Sequence, residues 1–148
     1  MTCEGCILFS LVAAEGMVVG IEKNSSSPCL SRPVDLQVPT YALRVLEVLE
    51  NAGFEAWIVG GWVRDALRGS FAHDIDITTL ATWQQSKAAF VAAGIPVHET
   101  GIAYGTVTAV VEQHPIEVTT YRCDGEYLDG RRPDSVQFVS CIEKDLAR

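Results

Sequence analysis

From Thr40 onward the apolar residues fall into two periods, one near helical spacing and one alternating, and the elements follow from where each applies. Leu43, Leu46, Val48 and Leu49 share one broad helical face, with Thr40 placed to cap the start and Asn51-Ala52-Gly53 to end it. Glu55 to Val59 reads as a strand leading into Gly60 and Gly61, after which Trp62 to Arg68 carries helix-forming residues. Ile75 to Thr79 reads as a second strand. Thr82 is placed to cap a helix over Trp83 to Ala93, closed by Gly94 and Pro96, and Trp83, Phe90 and Val91 are assigned to the core. After Gly101, TVTAVV and IEVTTY flank Glu112-Gln113-His114-Pro115, which predicts a hairpin over Thr106 to Tyr121. Arg122 to Asp134 is polar, holds Gly125, Gly130 and Pro133, and reads as a mobile loop. Val136 to Val139 reads as a further strand, and Cys141 to Arg148 as the start of a helix.

The stretch IVGGWVRDALRGSFAHDIDITT, Ile58 to Thr79, carries the chemistry. Gly60 and Gly61 permit a tight turn and close approach of backbone to a ligand, and they open a helix whose first amides lack partners. Unpaired N–H groups and the helix dipole both favour an anion there, and Arg64, about one turn in, adds a cation. Asp74 and Asp76 alternate with Ile75 and Ile77, so on a strand both carboxylates leave one face, roughly 7 Å apart at ~3.3 Å per residue. Two carboxylates at that spacing reach one hard cation, and Mg²⁺ suits them because it keeps phosphates and water as its other ligands. Glu117 alternates with Ile116 and Val118; it projects beside the aspartates if its strand pairs near theirs, and is otherwise a surface cross-strand residue.

Composition narrows the classes. A chain of 148 residues that is 48% hydrophobic can bury one core. The net charge of -8 argues against a nucleic-acid binder working through a basic surface, without excluding contact with RNA through another part. Five cysteines without framework spacing predict reduced thiols and a cytoplasmic protein, and Cys3 and Cys6 have no second pair at zinc spacing. Ile7 to Ala14 is apolar but too short to span a bilayer, and Glu4 rather than a cation precedes it. Residues 1–33, with the Asn24-Ser25-Ser26-Ser27-Pro28 linker, read as a poorly ordered leader, and the domain is taken as 34–148.

Several ordered motifs together resemble a known family. Gly60-Gly61-Trp62-Val63-Arg64-Asp65, Asp74-x-Asp76, IEVTTYR from Ile116, DGRRPDSVQFV from Asp129 and EKDLAR from Glu143 are similar to the head domain of bacterial-type CCA-adding enzymes and poly(A) polymerases. These belong to the DNA polymerase beta-like nucleotidyltransferases. The resemblance implies an α/β (α+β) fold, a small mixed sheet flanked by helices. It implies that Asp74 and Asp76 hold catalytic metal ions, that Gly61 and Arg64, with Gly60, contact the triphosphate, and that Glu117 is the third acid. Arg148 corresponds to the first arginine of a nucleotide-binding motif, and the segment near Cys123 to Arg132 to one that influences which nucleotide is added.

The expected reaction is metal-dependent nucleotidyl transfer from CTP or ATP to the 3′ end of tRNA, or of another RNA, with no membrane partner. The family's neck, body and tail are expected to follow Arg148, so the chain reads as a catalytic head ending before the neck, and base selection and most RNA contact belong elsewhere. A poly(A) polymerase, an antibiotic-modifying nucleotidyltransferase and a catalytically silent nucleotide-binding piece are the alternatives. Arg64, IEVTTYR and DGRRPDSVQFV speak against the antibiotic-modifying one.

Overall fold

The computed structural model describes residues 37–70, 74–124 and 135–147, together with two short strands nearer the start. Those two are β1 (Ser10–Leu11) and β2 (Val19–Gly20), paired antiparallel. The domain proper runs α1 (Thr40–Asn51), β3 (Ala56–Val59), α2 (Gly61–Leu67), β4 (Asp76–Thr79), α3 (Trp83–Ala92), β5 (Val97–Gly101), a 3₁₀ turn (Ile102–Tyr104), β6 (Thr106–Val111), β7 (His114–Thr120), β8 (Arg122–Asp124), β9 (Val136–Phe138) and α4 (Ile142–Leu146).

Five strands form one mixed sheet in the order β3-β4-β7-β6-β5, with β4 and β7 parallel and the other neighbours antiparallel. Pairing runs in register across the sheet. One row is Ile58, Ile77, Val118 and Val107, and the row beside it is Val59, Asp76, Glu117 and Thr108. Because successive side chains point to opposite faces, the first row is apolar and buried and the second is largely polar. On the apolar face α1 and α3 pack against each other and the sheet, so Val45, Leu46, Leu49 and Phe90 join those strand residues in one core. Chemistry is thereby left to the other face.

Helix ends follow the residues that can close them. Thr82 accepts from the Gln85 amide while the Gln85 side chain accepts from the Thr82 amide, a reciprocal cap for α3. At the far ends of α1, α2 and α3 the amides of Phe54, Ser70 and Ile95 each reach back to the carbonyls of Leu49, Asp65 and Phe90, the six-to-one closure that ends many helices.

Five sequence expectations change. Thr40 does not cap α1; Pro39 holds the cap position and its carbonyl takes the first amides, so Thr40 is already helical. Val91 is 60% exposed, because Phe90 alone turns inward at that point of α3. The hairpin turn is only Glu112-Gln113, both at positive φ, so His114 and Pro115 belong to β7. Pro115 is tolerated there because it precedes the stretch that pairs with β4, leaving β7 one neighbour at that point. Arg122–Asp124 is a strand paired with β9 rather than loop, and residues 125–134 lie outside the described residues. Finally β5 is a strand where the sequence pattern predicts none: VHETG lacks apolar alternation, as suits a bulged, largely exposed edge strand.

Candidate active site

The carboxylates sit where the open face of the sheet meets the turn after β3. Ile75 and Ile77 are buried at 2% and 1% exposure while Asp74 and Asp76 are exposed, so the alternation predicted for a strand holds across all four. The strand itself begins at Asp76, and Asp74 precedes it. Glu117 lies in register with Asp76 on the adjoining parallel strand, and it too is exposed. In a parallel pair, residues in register share a face, so Glu117 is beside Asp76 rather than behind it.

Gly60 completes the corner. It follows Val59, the partner of Asp76, and turns the chain with φ 81° and ψ −150°, a combination that only glycine occupies readily. A Cβ at this position would lie 3.2 Å from Asp76 Oδ2, so the carboxylate rests directly on the glycine backbone. Gly61 plays a different part. It is the first residue of α2, where a Cβ would meet nothing closer than Arg64 Nη2 at 3.6 Å, so its backbone needs no glycine. Trp62 and Val63 are buried at 6% and 2% exposure and pin this short helix to the core.

Arg64 is exposed and bends back over the start of α2. Its Nε donates to Asp65 Oδ1 at 2.8 Å, and Nη2 donates to Asp65 Oδ2 at 3.3 Å. The bond from Arg64 holds the Asp65 carboxyl below the usual carboxylate range, and Asp65 raises the Arg64 guanidinium in return. Asp65 thus orients the cation. Arg148 lies outside the described residues.

All donors at this corner are carboxylate oxygens, a set that fits a hard divalent ion and disfavours a soft one. Among the described residues no three His, Cys, Asp or Glu side chains are gathered closely enough to hold a metal alone. Asp74, Asp76 and Glu117 are aligned but not closed into a cage. A divalent ion held there would take its remaining ligands from outside these three side chains. The described cysteines, Cys123 and Cys141, are free thiols.

One acid near the site escaped the sequence reading. Asp145 on α4 is 2% exposed and accepts from Thr78 Oγ1 and from the Arg122 amide, both at 2.8 Å. Its spacing of three from buried Ile142 placed it on the inward face of α4, which was the available signal. Tyr121, also buried, donates to Glu55 Oε1 at 2.8 Å.

Residues 56–148 match the family model described as the poly(A) polymerase head domain. The CCA-adding enzyme of Lactobacillus helveticus is 48% identical over 107 residues, covering 72% of this chain and 26% of the relative. That of Listeria monocytogenes is 46% identical over 107 residues, with the same coverage of 72% and 26%. Among solved structures, the CCA-adding enzyme of Bacillus stearothermophilus in complex with CTP superposes with a TM-score of 0.60 at 35% identity, over 72% of this chain and 24% of that one. An apo CCA-adding enzyme at 21% identity has a TM-score of 0.56, over 74% of this chain and 27% of that one, a likeness of fold alone. The chain spans about a quarter of the length of the curated relatives it matches.

Proposed function

We propose a function from one premise: the chain belongs to the poly(A) polymerase head domain family. It is the catalytic head of a tRNA nucleotidyltransferase that adds CMP and AMP from CTP and ATP to an RNA 3′ end, in the cytoplasm. The observation that carries this reading is the corner itself, where Asp76 rests on Gly60 and stands in register with Glu117. The names of the relatives support CCA addition over poly(A) synthesis. Residues 34–148 are taken as the head and 1–33 as a leader. Among the described residues no helix is long and apolar enough to cross a membrane.

In the proposed reaction the RNA 3′-hydroxyl attacks the α-phosphorus of the triphosphate, its proton leaves, and the bond to pyrophosphate breaks. Asp74 and Asp76, with Glu117 beside them, would hold a divalent ion, and Mg²⁺ suits such oxygen ligands. When bound, it would supply Lewis-acid chemistry, lowering the pKa of the attacking hydroxyl and offsetting developing negative charge. Gly60 lets Asp76 and the ligand approach the same backbone. Gly61 and Arg64 line the start of α2, where amides and guanidinium favour the triphosphate, and Arg148 adds a second cation. The work is positioning and electrostatics, so no covalent intermediate and no catalytic histidine are needed.

The test uses Mg²⁺, labelled CTP or ATP, and tRNA lacking its 3′-terminal residues, with the chain alone and grafted in place of the matching segment of the Lactobacillus helveticus enzyme. Incorporation by the graft is expected. A graft that incorporates neither nucleotide refutes the proposal and favours a silent nucleotide-binding piece; transfer of AMP to an aminoglycoside but never to tRNA replaces it with a small-molecule transferase.

A further inference from the structure

We propose that Asp145, acting through Thr78, is a positioning residue that sets how the Asp76 strand sits against the Glu117 strand. The inference rests on the function proposed above. Thr78 and Asp145 are 1% and 2% exposed, so their contact is dry. Asp145 Oδ2 accepts from Thr78 Oγ1 at 2.8 Å and Oδ1 accepts from the Arg122 amide at 2.8 Å. One carboxylate therefore ties α4 to β4 and to the first residue of β8, just past the end of β7.

The tie lies one row from the site. Thr78 is two residues beyond Asp76 on the same face of β4, and its partner across the sheet, Thr119, is two residues beyond Glu117. Thr78 Oγ1 also lies 3.2 Å from the Thr119 carbonyl, but it has one proton, and the shorter approach gives that proton to Asp145. A hydrogen bond to a carboxylate is stronger and more directional than one between neutral groups, so the Thr78 rotamer and the height of β4 are held against the end of β7. Sliding β4 by a fraction of an ångström would move Asp76 relative to Glu117.

Attachment of α4 alone does not account for this acid. Ile142 already buries itself at 8% exposure on the same helix, and an apolar residue at position 145 would anchor it without the cost of desolvating a carboxylate. A buried acid that spans three elements beside the site is better explained by the geometry it enforces.

Mn²⁺ is the probe, titrated into the chain with CTP present and followed by the EPR signal of the free ion, alongside hydrogen exchange at Asp76–Thr79. Thr78→Val keeps the shape of the side chain and removes the donor, so it remains informative even where Asp145→Ala folds poorly. Both variants are expected to retain the ion about tenfold more weakly, the low end for losing outer-shell support of a metal site. Their combination should be no weaker than Asp145→Ala, since both break one contact. Asp145→Asn, which still accepts from the Arg122 amide but can only donate a neutral bond to the hydroxyl, should recover part of the loss and bind the ion between wild type and Asp145→Ala. Unchanged ion retention in Thr78→Val, or losses that simply add in the double variant, would overturn the inference. If the wild-type chain itself held no Mn²⁺, the proposed metal site would fall. The exchange data would then decide this inference alone: faster exchange across Asp76–Thr79 in Thr78→Val would sustain it, and unchanged exchange would end it.

Discussion

Gly60→Ala strikes the one residue on which the proposed site turns. At φ 81° and ψ −150° an alanine pays a backbone cost of about 1–3 kcal/mol. Its methyl would also stand 3.2 Å from Asp76 Oδ2, closer than ordinary contact, so the carboxylate must rotate aside. Driving a side chain off its rotamer costs a further 0.5–1.5 kcal/mol, roughly, and Asp76 then leaves its place beside Glu117. Urea denaturation should report a loss of about 1.5–4.5 kcal/mol at unchanged slope. Mn²⁺ retention in the presence of CTP should fall more steeply than stability does. Gly53→Ala is the control, since its φ of 88° imposes strain but a Cβ there meets nothing within 4 Å. It should cost about 1–2 kcal/mol and leave ion binding intact. A Gly60→Ala variant that stays within about 0.5 kcal/mol of wild type and keeps its ion, or a Gly53→Ala variant that loses the ion equally, would refute the role of Gly60.

Asp76→Ala in the grafted enzyme should abolish nucleotide incorporation while circular dichroism stays native, because Asp76 is exposed and its loss empties no core; residual activity near wild type would defeat the metal assignment. Glu117→Gln should lower incorporation less than Asp76→Asn does, measured at saturating CTP. Burial first, and the bond to Glu55 second, push the Tyr121 hydroxyl well above its ordinary value of about 10. The folded state therefore keeps a proton that the unfolded chain gives up. Stability attributable to this group is complete below about pH 10 and declines as pH rises further, and Tyr121→Phe should flatten that alkaline limb while costing about 1 kcal/mol at neutral pH. Phe90→Ala should cost about 3–5 kcal/mol by emptying a fully buried site, whereas Val91→Lys, one residue along and 60% exposed, should stay within about 0.5 kcal/mol in the same urea titration.

Local chemistry was sufficient for much of this protein. The reciprocal Thr82–Gln85 cap, the alternation of Asp74 and Asp76 with Ile75 and Ile77, and the glycine turn ahead of a short helix each arise within a few residues, where side-chain period and backbone freedom decide the outcome. What the chain does not spell out is what meets what across distance. Placing Glu117 in register with Asp76 depends on β7 inserting between β4 and β6, which is set by how the apolar rows of both strands pack under α1 and α3. The β5 edge and the positive-φ turn at Glu112-Gln113 each break a local preference that tertiary pairing overrides, and the partners of Asp145, Thr78 and Arg122, lie far from it in sequence. Sequence named the acids and the turn; only the folded sheet determined which of them stand side by side, because register is a property of two strands and neither strand carries it alone.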